Sequence, residues 1–208
     1  VNILNGATLT VSVPMALDTV MMEEDAQVVF TATEGKLTAR SLRFAPLLSA
    51  TGWKAFGMPF TSAVIKNSTE EEISAPSTQN VDNGIWFARL KDNKTPEFVV
   101  DESAFGMAGL WAANGDTYTI SSEGAFEFKT LEEPAAPTET GTFLMCSNPN
   151  TFTITLKQSA YILTADGTSF EQEANPEIKP FQSFVLTDAK TLSTLRSLRI
   201  GDGVVTGN

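Results

Sequence analysis

The sequence predicts an all-β fold, and three observations carry that expectation. The first is the stretch from Ala160 to Leu186. Tyr161, Ile162 and Leu163 lead into Ala165-Asp166-Gly167-Thr168, where Asp-Gly favours the positive backbone angles of a tight hairpin, and Phe170 starts the return strand. After a polar loop closed by Pro176 and Pro180, the run Phe181 to Leu186 is aromatic and β-branched, as a buried strand requires. The second is the near absence of helical periodicity: short apolar runs follow one another, separated by Asn, Asp and Gly. The third is that about one residue in eight is Thr, which suits strands with hydroxylated outer faces.

Taken in order, residues 1–44 have a rhythm of their own. Asn5-Gly6-Ala7-Thr8-Leu9-Thr10-Val11 is echoed by Glu24-Asp25-Ala26-Gln27-Val28-Val29-Phe30, and Asp18 to Met22 is echoed by Ala39 to Phe44. Ala7 and Ala26 stand 19 positions apart (26 − 7), close to the period of stacked solenoid rungs. An ordinary antiparallel meander explains the pattern equally well at this point. The rung reading makes one definite claim, that the strand around Ala7 to Val11 lies parallel on that around Gln27 to Phe30.

Ala45-Pro46 and Thr51-Gly52 punctuate the boundary to a main domain spanning 52–200, expected to be sandwich-like and antiparallel. It opens on Trp53 to Phe60, where large apolar residues alternate with small or polar ones. The polar stretch Asn67 to Asn83, with Glu70-Glu71-Glu72, reads as a long surface loop. Strands are expected at Ile85–Leu90, Phe98–Val100, Gly109–Ala112, Thr117–Ile120 and Ala125–Lys129. Leu131 to Gly141, with Pro134 and Pro137, reads as an extended connector that need not pack. Strands at Gly141–Met145, Thr151–Leu156 and Ser197–Ile200 complete the set, and only Asp188 to Leu195 suits a short helix. Residues 201–208 look like the start of a linker.

Composition narrows function mainly by exclusion. A net charge of −11 and a pI near 4.4 argue against a nucleic-acid partner, because phosphate contacts need clustered Lys and Arg. No apolar segment approaches the length of a membrane-spanning helix. The chain has no His, which removes the usual general base, the commonest zinc ligand and the switch near neutral pH. Its one Cys, Cys146, lies in the apolar run Phe143-Leu144-Met145-Cys146 and carries no redox motif. No Gly-rich phosphate loop and no EF-hand spacing occur, so no cofactor and no metal is expected.

The remaining chemistry is carboxylate chemistry or none. Glu102, Asp116, Glu127, Glu171 and Glu173 are available acids, and a glycosidase would need two of them facing each other across a cleft at roughly 5–10 Å. Trp53 and Trp111 are the aromatic residues that could offer a flat face to a sugar. Each also sits in an apolar strand pattern, as Trp86 does, where core packing is the usual role.

Several of these stretches, taken in order, resemble a known group. They are the Gly-Ala-Thr-Leu-Thr-Val rung, Gly52-Trp53 followed by Met58-Pro59-Phe60, a Trp-containing strand, the strand-turn-strand at Tyr161 to Phe170, Lys179-Pro180-Phe181-Gln182-Ser183-Phe184, Leu198-Arg199-Ile200 and Asp202-Gly203. The order resembles the β-rich C-terminal regions of secreted cell-surface proteins of Bacteroidetes described as adhesins. In that group the equivalent of Pro180 to Phe184 commonly reads Pro-Phe-Arg-Ala-Tyr-Phe; here Gln182 and Ser183 replace the Arg and Ala, and Phe184 takes the aromatic place. The resemblance implies export to the cell surface, further domains in the same polypeptide, and a structural or adhesive role toward a glycan or a host surface protein. It brings no catalytic residue with it. Asp18-Thr19-Val20 also looks like the Asp-Thr-aliphatic acceptor of O-glycosylation in exported proteins of these bacteria, which would make Thr19 the modified residue; a chance tripeptide in a Thr-rich chain explains it as well.

The expectation is therefore a non-catalytic surface module, with a carbohydrate-binding module as the alternative and a carboxylate-dependent glycosidase behind it.

Overall fold

The computed structural model describes residues 1–31, 36–48, 52–57, 63–73, 85–100, 108–113, 116–128 and 130–200. Met58-Pro59-Phe60, Glu102, residues 74–83 of the expected surface loop and the linker-like 201–208 lie outside these ranges. The fold is all-β, with one short helix among the described residues.

The N-terminal strands are β1 (Asn2–Ile3), β2 (Thr8–Val11), β3 (Met15–Glu23), β4 (Gln27–Phe30) and β5 (Leu37–Ala45). They coil rather than meander. β2 lies parallel on β4 with Thr8 opposite Gln27, which is the 19-residue echo turned into register. β1 lies parallel to β3, and β3 runs parallel to β5 from Met15 opposite Leu37 to Glu23 opposite Ala45. A parallel stack places each residue over its equivalent one turn away. Leu9 and Val28, Val11 and Phe30, Val20 and Leu42, and Met22 and Phe44 therefore face one interior. The corner between β3 and β4 is made by Asp25 at φ +60°, a left-handed conformation that Asp tolerates better than most residues.

The chain continues through β6 (Lys54–Phe56), β7 (Ala63–Lys66), β8 (Glu72–Ile73), β9 (Ile85–Leu90), β10 (Phe98–Val100), β11 (Gly109–Ala113), β12 (Thr119–Ser122) and β13 (Phe126–Phe128). β12 and β13 pair antiparallel with the outer edge of β5, and β12 passes the sheet on to β7 and β8. The stack is thus spliced by backbone hydrogen bonds into strands from the 52–200 segment.

β10, β9, β11 and β6 form an antiparallel sheet of their own, and it is buried on both faces. Alternation explains how. Phe56, Ile85, Phe87, Trp111 and Ala113 point into the interior shared with the stack. Ala55, Ala88, Leu90, Phe98 and Leu110 point to the opposite side. A strand covered on both sides has no polar face, which is why Ile85-Trp86-Phe87-Ala88 and Gly109 to Ala113 read as unbroken apolar runs.

The opposite side is covered by the C-terminal sheet of β14 (Phe143–Ser147), β16 (Ala160–Leu163), β17 (Ser169–Glu173), β19 (Ser183–Thr187) and β20 (Ser197–Arg199), in the order β14-β19-β16-β17-β20. Its inner face carries Phe143, Tyr161, Phe170, Val185 and Leu198, and Phe170 stacks on Phe98 with ring centroids 5.3 Å apart. A two-stranded ribbon, β15 (Ile154–Thr155) with β18 (Glu177–Ile178), covers its rear face over Phe184 and Leu186.

The aromatic run Phe181 to Leu186 is buried throughout, apart from the half-buried Gln182, but it is not one cluster beside Tyr161. β19 alternates, so Val185 meets Tyr161 directly while Phe184 and Leu186 face the ribbon. Phe181, before the strand, reaches the interior of the stack and sets its ring edge-on to Phe44 at 5.1 Å. The hairpin also differs in turn type from the expected Asp-Gly pair. Only Gly167 has positive φ (+69°), and the Gly167 amide donates to the Thr164 carbonyl while the Thr164 amide donates to the Ser169 carbonyl, so Ala165 to Thr168 make a four-residue loop whose third residue is left-handed.

Two connections are tighter than their polarity suggests. Asn67 turns the chain within five residues, its Oδ1 accepting from the amides of Thr69 and Glu71. The 131–141 connector is strapped to the body rather than free. Leu131 exchanges two hydrogen bonds with the buried Asn150 side chain, Glu133 accepts from the Lys157 amide, Pro134 from the Gln158 side chain, and the Gly141 amide donates to Asp188.

Asp188 caps the helix α1 (Ala189–Thr194), accepting from the amides of Lys190 and Thr191. Its other oxygen takes the Thr191 hydroxyl at 2.5 Å and the Gly141 amide at 2.8 Å. The Thr191 hydroxyl, followed by these amides, holds its carboxyl down at about 2, against the burial that opposes ionisation. A carboxyl depressed in the folded state stabilises it above the unfolded pKa of about 3.9, and that contribution is lost as pH falls through the folded value. Urea titrations at pH 6, 3 and 2 should therefore show Asp188→Asn less stable than the parent at pH 6, with the gap closing toward pH 2. A gap of constant size over that range would contradict the assignment.

Candidate functional site

The three Trp residues separate by environment. Trp111 is fully buried, stacked on Phe56 at 4.8 Å with Phe87 edge-on at 5.0 Å, so it offers no face to a ligand and its proposed platform role is withdrawn. Its strand is sandwiched between two sheets, which position 111 alone could not reveal. Trp86 is buried in the same sheet. Trp53 is half-buried, and it lines a cleft of about 290 Å³.

This cleft is assembled at the seam between the stack and the two antiparallel sheets. The stack supplies Glu24 and Asp25 at its β3–β4 corner, the entry to β6 supplies Trp53 and Lys54, the hairpin supplies Leu163 to Ala165, and the approach to β19 supplies Lys179 and Gln182. Glycine sets how closely these segments meet. A Cβ on Gly167 would lie 2.5 Å from the Trp53 carbonyl oxygen and 2.6 Å from its nitrogen, and a Cβ on Gly52 would lie 2.8 Å from the Asp166 carbonyl oxygen. Across this contact the Trp53 amide donates to the Gly167 carbonyl at 3.4 Å.

Gly167→Ala therefore meets backbone atoms that cannot rotate away, at a φ that disfavours any side chain. It should destabilise the chain by about 1–3 kcal/mol, and it should raise acrylamide quenching of Trp53 fluorescence as β6 separates from the hairpin. Unchanged quenching would separate Trp53 from the hairpin's control.

Four charged side chains line the cleft, and they are paired. Lys54 Nζ binds Glu24 Oε1, and the other Glu24 oxygen accepts from the Leu47 amide at 2.9 Å. Lys179 Nζ binds Asp25 Oδ2 at 2.8 Å. The Glu24 side chain is only 13% exposed, whereas Lys179 and Asp25 stand at the open rim. The Gln182 oxygen accepts from the Lys179 amide at 2.9 Å, which leaves its two N–H donors uncommitted to that contact.

The acids singled out from sequence are not gathered here. Asp116 is exposed, Glu171 and Glu173 are exposed two positions apart on the same face of β17, none of the three lines the cleft, and Glu127 pairs with Lys36 at 3.0 Å. A second, shallower cleft on the stack is lined by Asp18 and Arg40, 3.5 Å apart, and by small residues. Thr19, next to it in sequence, is half-buried in β3 opposite Ser41. Burial pushes the Cys146 thiol up to about 12, so it is inert as a nucleophile near neutral pH.

Sequence reasoning passed over Glu24, Asp25, Lys54, Lys179 and Gln182 as site residues. A faint signal was present: Gly52-Trp53, the Asp166-Gly167 turn and Lys179 to Gln182 stand out in sequence as separate local motifs, and in three dimensions they meet around this one cleft.

No family model, no curated protein and no solved structure matches the chain.

Proposed function

We propose that the chain is a non-catalytic structural or adhesive module of a larger exported surface protein. The observation that supports this most is the splice at β5, which pairs with β3 on one side and with β12 and β13 on the other. Such a join makes the stack and the sandwich a single stiff body suited to presenting a surface. The likeness to Bacteroidetes surface proteins supports the setting. The carboxylates that line the Trp53 cleft are each committed to a lysine, which does not favour the acid–base pair of a glycosidase.

A second reading, a carbohydrate-binding module, is favoured by Trp53, the one Trp of the three that reaches an open cleft. Screening the intact chain against a glycan array and a panel of host matrix proteins, with product analysis of every hit, tests both. Binding without turnover is expected. Turnover of any glycan would overturn the non-catalytic reading, and no binding to any member of either panel would remove the adhesive one.

A further inference from the structure

We propose that the cleft beside Trp53 binds a neutral, hydroxyl-rich ring, a terminal uncharged sugar of a glycan, and that Trp53, Lys179, Asp25 and Gln182 are its contacts. The inference rests on the carbohydrate-binding reading and goes further by naming the site and the charge of the ligand.

Glu24 and Asp25 contribute two negative charges to the lining, and Lys54 and Lys179 contribute two positive charges, which cancel. Each carboxylate is already bonded to one ammonium group. A charged ligand would have to break one of these pairs or bring an unmatched charge into a partly enclosed space, and either is costly. A neutral ligand faces no such penalty. An ammonium group has three donors and a carboxylate about four acceptor sites, so each paired group retains capacity for a hydroxyl, which both donates and accepts.

Shape and surface agree with charge. A cleft of about 290 Å³ lies at the lower end of ordinary ligand pockets, roughly 300–1,000 Å³, and suits one ring rather than a long chain. Trp53 adds an aromatic wall suited to the apolar C–H face of a sugar, and Gln182 adds amide donors. The cleft also joins segments that the fold holds rigidly, through the Gly52 and Gly167 contacts, so its walls are preorganised.

The test uses the whole chain, with a panel of neutral methyl hexosides, glucuronate and glucosamine titrated by protein fluorescence and by NMR at low and high salt. At least one neutral hexoside should bind, with an affinity that changes little with salt. Trp53→Phe, which keeps the packing against the core, should weaken it about tenfold. The double variant Asp25→Asn with Lys179→Met should weaken it by a similar factor without moving the unfolding midpoint, because that pair is exposed at the rim. Preference for glucuronate or glucosamine with a steep salt dependence would overturn the neutral-ligand inference while leaving the carbohydrate reading intact. Neutral binding that survives both variants would place the site elsewhere and overturn the assignment. Failure of every sugar here and on the array would overturn both.

Discussion

Replacing Trp111 with Ala should remove about 3–5 kcal/mol of stability, a large share of the roughly 5–15 kcal/mol typical of a folded domain. The loss is expected to be at the upper end for physical reasons. The indole is fully buried between Phe56 and Phe87, and the cavity it leaves is walled by a sheet pinned on both faces. A site that cannot collapse retains its void, and residual void is what separates large from small truncation effects. Urea unfolding of Trp111→Ala beside Trp53→Ala gives the comparison: the first should cost several times the second, because Trp53 is already partly in water. Equal losses would contradict a middle sheet covered on both sides.

Phe181 offers the second large effect, with an unusual signature. It is fully buried, yet its backbone adopts φ +61°, which is rare and costly for a bulky residue. The surroundings enforce it. The Phe181 amide donates to the Asn148 carbonyl, the Phe181 carbonyl accepts from the Gly57 amide at 2.7 Å, and the ring lies against Phe44. Asn148, itself buried, fixes this corner by sharing its side-chain amide protons among the carbonyls of Phe152, Ile178 and Lys179. Phe181→Ala should cost about 3–5 kcal/mol for the ring. Phe181→Gly loses the same ring but relieves a left-handed backbone worth roughly 1–2 kcal/mol. Gly should therefore be at least as stable as Ala here, the reverse of their order at an ordinary strand position. A Gly variant clearly weaker than Ala, read from urea midpoints, would show that the backbone is not held in this conformation.

Local patterns made much of the fold legible in sequence, and their failures have a common cause. The echo of Thr8 to Val11 in Gln27 to Phe30 became a parallel register because a stack repeats the same side-chain environment one turn later. The helix after Asp188 was readable because capping is a matter of neighbouring residues. What sequence could not supply was the partner of each face. Phe181, Val185 and Phe184 are a few residues apart, yet they serve three different interiors, because the middle and C-terminal sheets are each covered on both faces. Trp53 and Trp111 looked alike as aromatic residues in strands, and only the layers around them set them apart. The cleft was less legible still, since Glu24 and Lys54, or Asp25 and Lys179, meet through tertiary contacts that no spacing encodes.

The N-terminal stack and the two antiparallel sheets form one cooperative body, with the cleft at their seam. Native-state hydrogen exchange across a series of low denaturant concentrations measures this directly, because it assigns an opening free energy to each strand. Amides of β3, β5, β9, β11 and β19 should share one opening free energy equal to that of global unfolding, since the middle sheet is an interior wall of both halves. If β3 and β5 instead open together at a distinctly lower free energy while β9, β11 and β19 stay protected, the stack is a separate unit and the claim fails.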